Sequence, residues 1–362
     1  MIGKGLMGLS GTQPGQATIR EITTQTEAWM EALLNVEAIA KDLRRALYDT
    51  EEVLFVGCGS AYHAALVATP LYRQVTGGRA RAAQGGELCF YPQSTLPDPS
   101  TALVVAMSRS GQTTETVEAC QRAKAQGAKI AAITCYAQSA LASLADFPII
   151  LERAQEASVM TTRSFTAMVV ACQALAGHAA NDAEYLGQTA GLIPWGQAAL
   201  DNYGTLGELL GLEENLEHFA FAAAAPLHGY ALECQLKTRE GSQLPAETVE
   251  LFEHRHSRLL SADPTLHVTL LSADNAQAQE YAFLQEMKAS EARVLLVCDS
   301  TDHPGAALAD ETMDVQSGHS EFVRGPLYMP MLQLMAAHRA VLVGYNPDAP
   351  DRLAHGASPA SG

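Results

Sequence analysis

Apolar runs of strand length alternate along the chain with stretches in which apolar residues recur every third or fourth position. Val53-Leu54-Phe55-Val56 reads as a buried strand and is followed by Gly57-Cys58-Gly59-Ser60-Ala61 and a helical pattern through Ala64, Leu66 and Leu71 to about Gln74. Further strands are expected near Arg79–Ala83, 102–107, 130–134 and 147–151, separated by helical segments. That alternation predicts a parallel sheet covered on both faces, with ligands expected at the carboxyl ends of the strands. Before it, Trp29, Leu33, Leu34, Val36, Ile39, Leu43 and Leu47 lie at helical spacing within 21–48, and residues 1–16 form a Gly-rich, mobile N-terminus.

Beyond the first sheet, 157–176 reads as one long helix and 182–212 as a mostly helical connector with a break around 191–194. The second half repeats the first, with strands at 218–223, 266–271 and 294–298 and helices at 230–239 and 277–289. An internal duplication of a five-strand unit is the simplest account. The expected fold class is therefore α/β: two tandem subdomains, each a doubly wound five-stranded parallel sheet, at 17–190 and 191–345, with a last helix at 327–340 and a tail at 346–362.

The apolar strand 102–107 stops abruptly at Ser108-Arg109-Ser110-Gly111-Gln112-Thr113, and a helical pattern from Thr113 to Ala125 starts at once. Helix N-termini present free N–H groups and a positive dipole end, which suit an anion. The hydroxyls of Ser108, Ser110, Thr113 and Thr114 exceed what a helix cap needs, so a phosphate-type ligand is expected here. Gly57-Cys58-Gly59-Ser60-Ala61 falls short of a dinucleotide fingerprint, since Tyr62 fills the last glycine position, but it can line the adjacent strand end. Nothing near Cys58 in sequence would lower its pKa, so it reads as an inert, buried thiol rather than a nucleophile. The corresponding turn of the second half, Ala222-Ala223-Ala224-Ala225-Pro226, has neither glycine nor hydroxyl.

Composition narrows the partners. With 48% hydrophobic and 17% charged residues the chain of 362 residues is that of a globular protein, and its net charge of −17 argues against nucleic acid or an anionic membrane. The seven cysteines are scattered and include no CxxC, which indicates neither a disulfide framework nor a zinc site; a reducing cytoplasm fits best. No stretch approaches the length of a membrane span.

Two further segments can bear on chemistry. Gln155 to Thr166 gathers hydroxyls and Arg163 at a helix start, which reads as an N-cap or as a wall of donors against a polyhydroxylated ligand. Ala231 to Glu240 is an amphipathic helix ending in charge, and His256 follows sixteen residues after Glu240. A Glu and a His at a sugar carbonyl are what proton transfer between C1 and C2 requires, although Glu233 and Glu240 read equally as solvated helix charges and His254 and His256 as a surface pair.

Taken together and in this order, Gly57-Cys58-Gly59-Ser60, Ser108 to Thr113, Glu156 to Thr166 and Ala231 to Glu240 resemble the sugar isomerase (SIS) family. The likeness is to the isomerase half of glutamine:fructose-6-phosphate amidotransferase and to stand-alone amino-sugar 6-phosphate deaminases and isomerases, and it runs from Arg20-Glu21-Ile22 to Asn346-Pro347-Asp348. The resemblance implies that Ser108, Arg109, Ser110 and Thr113 hold a 6-phosphate, with Cys58, Gly59, Ser60, Ala61, Val159, Thr161 and Lys237 around the sugar. It implies Glu240 as the enolisation base and His256, from the neighbouring subunit of a homodimer, as the ring-opening group, with no metal and no organic cofactor. The function it implies is a deaminase or isomerase of an amino-sugar 6-phosphate; a fructosamine 6-phosphate deglycase and a non-catalytic sugar-phosphate sensor are the alternatives. Three features depart from the family pattern. Ser257 and Arg258 follow His256 where the family has Gly-Pro, and the neighbouring His254 competes for the same role; the Ala222–Pro226 turn of the second half is Ala-rich; and His355 stands in the tail where several members have a catalytic Lys, whose imine imidazole cannot form.

Overall fold

The computed structural model describes residues 13–257, 263–300 and 302–350. Two five-stranded parallel sheets account for all the strands among them. The first holds β1 (Glu52–Gly57), β2 (Ala80–Gln84), β3 (Ala102–Met107), β4 (Lys129–Thr134) and β5 (Phe147–Ile150) in the order β2-β1-β3-β4-β5. The second holds β6 (His218–Ala223), β7 (Ala246–Glu250), β8 (Leu266–Leu271), β9 (Arg293–Cys298) and β10 (Glu311–Asp314) in the order β10-β9-β8-β6-β7, the same topology read from the other edge. Every residue of β3 and of β8 is buried, as expected of central strands covered on both faces. In each sheet the strand order reverses between its first and third strands, and the crevice at that switch point is where such folds place a ligand.

The longer helices, labelled in chain order, are α1 (Gln16–Thr23), α2 (Gln25–Tyr48), α3 (Ser60–Thr76), α4 (Thr114–Ala125), α5 (Arg163–Ala180), α6 (Ala183–Gly211), α7 (His228–Ser242), α8 (Gln277–Ala289) and α9 (Glu321–Leu342). α5 is buried along nearly its whole length, with Phe165, Met168, Val169 and Cys172 in a core that continues into both sheets. Trp29 of α2 is fully buried and donates its indole N–H to Thr166 Oγ1 at 2.7 Å.

Three sequence expectations are corrected. The helix expected from Ala157 begins at Arg163, because the Glu156 carboxylate takes the N–H groups of Thr162 (2.6 Å) and Ser164 (3.2 Å) and caps α5 from outside. Residues 157–162 instead form a loop tied down by the buried Glu21, which accepts from Ala157 N at 2.6 Å, and by the Asp348 carbonyl, which accepts from Val159 N at 2.9 Å. α6 runs unbroken through Gly191 and Pro194, where a break was expected. The strands β7 and β10 were not singled out in the sequence; both are sheet edges whose partly exposed, polar residues lack an apolar run. The expected mobile N-terminus falls largely outside the described residues, although Gly15 N donates to Asn346 Oδ1 at 3.0 Å and Asp348 caps α1 through Thr18 N at 2.8 Å.

Candidate functional site

A cavity of about 730 Å³ opens at the switch point of the first sheet, between the turns that follow β1 and β3. The β3 turn is built by its own hydroxyls. Ser108 Oγ lies 3.0 Å from Thr113 Oγ1 and accepts from Gly111 N at 3.1 Å, while Ser110 Oγ accepts from Gln112 N at 3.2 Å. Gly111 adopts φ 61°, and a Cβ there would overlap the Ser139 side chain. Only glycine fits such a position without strain. Thr113 precedes α4 in extended conformation and makes no side-chain cap, so the first turn of that helix faces the cavity with Ser108, Ser110, Thr113 and Thr114 around it.

The opposite wall comes from the β1 turn. Gly59 adopts φ 57° at the start of α3, and Cys58, Ser60 and Ala61 line the cavity. Cys58 is half-buried, not buried as expected, and its thiol lies 3.6 Å from Thr116 Oγ1. Thr161 and Ala157 close a third side from the 157–162 loop. Arg109 lines the cavity too, but its guanidinium is committed elsewhere, with Nη1 3.0 Å from the buried Glu156 carboxylate and Nη2 donating to the Val159 carbonyl at 3.0 Å. It therefore fastens the Ser108–Thr113 turn to the 157–162 loop.

Behind the β1 turn stands a buried ionic group on α7. Lys237, 1% exposed, is 2.6 Å from Glu240 Oε2, 3.3 Å from Glu233 Oε1 and donates to Ser60 Oγ at 3.2 Å. Burial by itself lowers the Lys237 pKa, but Glu233 and then Glu240 more than reverse this, so the ammonium holds its proton above the ordinary lysine value. Glu233 shows the same balance in the opposite sense. Burial alone would raise its pKa, and Lys237 and His63 outweigh it, leaving the carboxyl below its ordinary value. Glu233 is thus fully buried and paired, where the sequence also allowed a solvated charge. Glu240 keeps a partly exposed side chain and lines a second cavity of about 630 Å³ with His63, Gln235, Arg239 and Pro350. Ser60 joins the two cavities: it lines the first and hydrogen-bonds the lysine that holds Glu240.

The expected site residues are distributed as follows. Cys58, Ser60, Ala61, Ser108, Arg109, Ser110, Thr113 and Thr161 converge on the first cavity. Val159 touches it through Arg109, and Lys237 and Glu240 lie behind Ser60. His256 is exposed and lines neither cavity of this chain; His254 is buried edge-to-face against Phe283, ring centroids 5.0 Å apart. His355 and Arg258 lie outside the described residues. Sequence reasoning did not single out Tyr136, Gln138 and Ser139, which follow β4, nor His63; the first three could have been found by carrying the strand-end rule one strand further. Among the described residues no cluster of His, Cys, Asp and Glu has the form of a metal site, and no helix is long and apolar enough to cross a membrane.

This arrangement, a hydroxyl-rich helix N-terminus at the switch point of one of two like-wound parallel sheets, defines a doubly wound α/β fold with a crevice suited to an anion. The model of the SIS domain matches residues 46–177. Its relatives include the glutamine–fructose-6-phosphate aminotransferases of Thermococcus kodakarensis (25% identical over 345 residues, 93% of this chain and 57% of the relative) and Aeropyrum pernix (29% over 353 residues, 93% and 56%). The chain spans about half the length of the curated relatives it matches. Among solved structures, the C-terminal domain of the glucosamine-fructose-6-phosphate aminotransferase of Francisella tularensis superposes with a TM-score of 0.82 at 20% identity, covering 95% of this chain and 100% of that one. The glucosamine-6-phosphate deaminase of Thermotoga maritima superposes with a TM-score of 0.77 at 25% identity, covering 94% and 99%.

Proposed function

We propose that the protein is a cytoplasmic, homodimeric deaminase or isomerase of an amino-sugar 6-phosphate. The observation that carries this reading is the link from the hydroxyl cradle through Ser60 and Lys237 to Glu240, which supports reading the cradle as an anion site and Glu240 as the proton-transfer carboxylate. Similarity to a glucosamine-6-phosphate deaminase over nearly the whole chain supports it. In this reading Ser108, Ser110, Thr113 and the N-terminus of α4 bind the 6-phosphate, and Arg109 holds the turn against the loop carrying Val159 and Thr161. Cys58, Gly59, Ser60 and Ala61 lie along the sugar. Glu240 moves a proton between C1 and C2, with Lys237 fixing its carboxylate, and a neighbouring subunit's copy of His256 opens the ring. Water then releases ammonia from the imine, or, without an amine, aldose and ketose exchange. Neither step calls for a metal or an organic cofactor, since the adjacent carbonyl or imine makes the proton labile. His355 cannot form an imine, so the tail supplies at most acid–base chemistry.

The cavity of about 630 Å³ beside Glu240 favours a second reading, a fructosamine 6-phosphate deglycase, because it offers room for an amine substituent larger than hydrogen. The test is ammonia release from glucosamine 6-phosphate and galactosamine 6-phosphate in parallel, with Glu240→Gln as control. Release that disappears in the variant is expected; binding of both sugars without release would favour the deglycase or a sugar-phosphate sensor. Ser110→Ala is expected to weaken sugar-phosphate binding about 10-fold, as loss of one hydrogen bond to a charged group does, and unchanged affinity in calorimetry would overturn the cradle assignment.

A further inference from the structure

The chemistry proposed above makes no use of Glu233 or His63, yet both are built into the site. Glu233, Lys237 and Glu240 share one face of α7 at i, i+4 and i+7. The helix α3 lies close against that face: a Cβ on Gly229 would run into Val67 and the His63 carbonyl, so glycine there lets the two helices approach. The approach brings His63 Nδ1 to 2.9 Å from Glu233 Oε2. An ionised carboxylate accepts only, so Nδ1 carries the proton. The result is a continuous line of groups, His63–Glu233–Lys237–Glu240, whose two ends both line the second cavity.

One cation shared by two carboxylates is divided according to what else each carboxylate holds. Glu233 has His63 on one oxygen and stands 3.3 Å from the ammonium, whereas Glu240 stands 2.6 Å from it. Other charged or titratable groups around His63 are Arg239 on α7, His228 at the start of that helix with Glu250 beyond it, and Tyr62 on α3 with Glu87 beyond it. Among the described residues, Glu233 is the group that His63 hydrogen-bonds.

We infer that His63 is a positioning residue for proton transfer at Glu240: by engaging Glu233 it leaves Lys237 to orient the Glu240 carboxylate. The inference rests on the reading of Glu240 as the proton-transfer group. No bond forms or breaks along the line.

Turnover of the preferred sugar phosphate is measured for wild type, His63→Gln and His63→Asn. The Gln variant is expected to lose about 10-fold in kcat with KM changed less than two-fold. The Asn variant, whose amide can take the place of Nδ1–H, should regain most of kcat. A kcat like the wild type's in His63→Gln, or a KM that rises at constant kcat, would overturn the inference. A second measurement needs no activity. The Nδ1–H proton resonance of His63 is compared by NMR at one pH in wild type and in Glu240→Gln. Removing the Glu240 charge sends Lys237 toward Glu233 and weakens the hydrogen bond that this carboxylate accepts from His63, so the resonance should move upfield. An unmoved resonance overturns the coupling. If wild type turns over neither sugar, the function on which the inference rests fails, and the NMR comparison judges the coupling by itself.

Discussion

The two sheets are wound alike, but their strand ends are finished differently. In the first half the turn after the middle strand, Ser108 to Thr113, leaves its hydroxyls and the start of α4 facing a cavity of about 730 Å³. In the second half the corresponding turn after β8 begins at Ser272, and the chain's own carboxylate occupies it. Glu280 accepts from Ser272 Oγ at 2.8 Å and from Ala273 N at 2.7 Å, and lies 2.8 Å from His303 Nε2. Eight residues beyond the strand-end serine, where the second half has Glu280, the first half has Thr116. The space left there, about 400 Å³, is walled by groups already engaged with one another, such as Arg324 with the Ser272 carbonyl (3.0 Å) and Asp274 (2.6 Å). A strand-end turn can be filled by an internal anion, as in the second half, or left open to a cavity, as in the first. The two like-wound halves show one of each.

If that division is correct, the largest effect belongs to Glu280→Thr, which gives the second half the residue of the first. It strips a buried acceptor from Ser272, Ala273 and His303 together, and loss of one partner from a buried ionic group costs about 4 kcal/mol. Urea denaturation should show that loss as a lower midpoint, with affinity for sugar phosphate at the first half changed less than two-fold. Unchanged stability, or affinity that collapses while the fold survives, would erase the distinction between the halves. Gly111→Ala acts on the other side of the comparison. At φ 61°, with the Ser139 side chain in the way and Thr134 Oγ1 2.7 Å from the added Cβ, the turn must shift. Sugar-phosphate affinity should fall about 30-fold, near 2 kcal/mol, in titration calorimetry.

The same comparison separates what the sequence made legible from what it did not. The cradle and the Gly57–Ala61 turn were readable because each joins an apolar strand to a helix within a few residues, a pattern carried by neighbouring positions of the chain. The central strands were readable for the same reason, while β7 and β10, polar edges, were not. The start of α5 was misplaced because its capping carboxylate is Glu156 and its loop is held by Glu21 and Asp348, partners that no local pattern reveals. The plugging of the second cradle is not legible in the sequence, because the decisive residue, Glu280, reads as an ordinary charge in the first turn of a helix. Lys237 and Glu240 were placed by resemblance; that Glu233 is buried follows from the close approach of α3, which spacing along α7 cannot show.

The smallest effect tests how far the second half has become a purely structural unit. His267, the second residue of β8, is fully buried beside Phe219 with Nε2 3.0 Å from Thr269 Oγ1; the second residue of β3 is Leu103. Burial, and then the nearby Arg293 and Arg339, lower the His267 pKa from 6.5 to about 3. Its folded pKa lies below its unfolded one, so the unfolded chain binds the proton first as pH falls. The stability this residue contributes is therefore whole above about 6.5, declines below it, and stops declining near 3. The slope for one such group is about 1.4 kcal/mol per pH unit, giving a loss of roughly 2–3 kcal/mol by pH 4.5. His267→Leu, which installs the residue of the first half, removes that term while leaving every carboxylate titration in place. The difference in unfolding free energy between wild type and variant should thus be flat above about pH 6.5 and should move in the variant's favour below it. A difference that stays constant from pH 7 to pH 4.5 would mean that this histidine reaches water in the folded state, and that the second half is less tightly closed than its plugged strand ends imply.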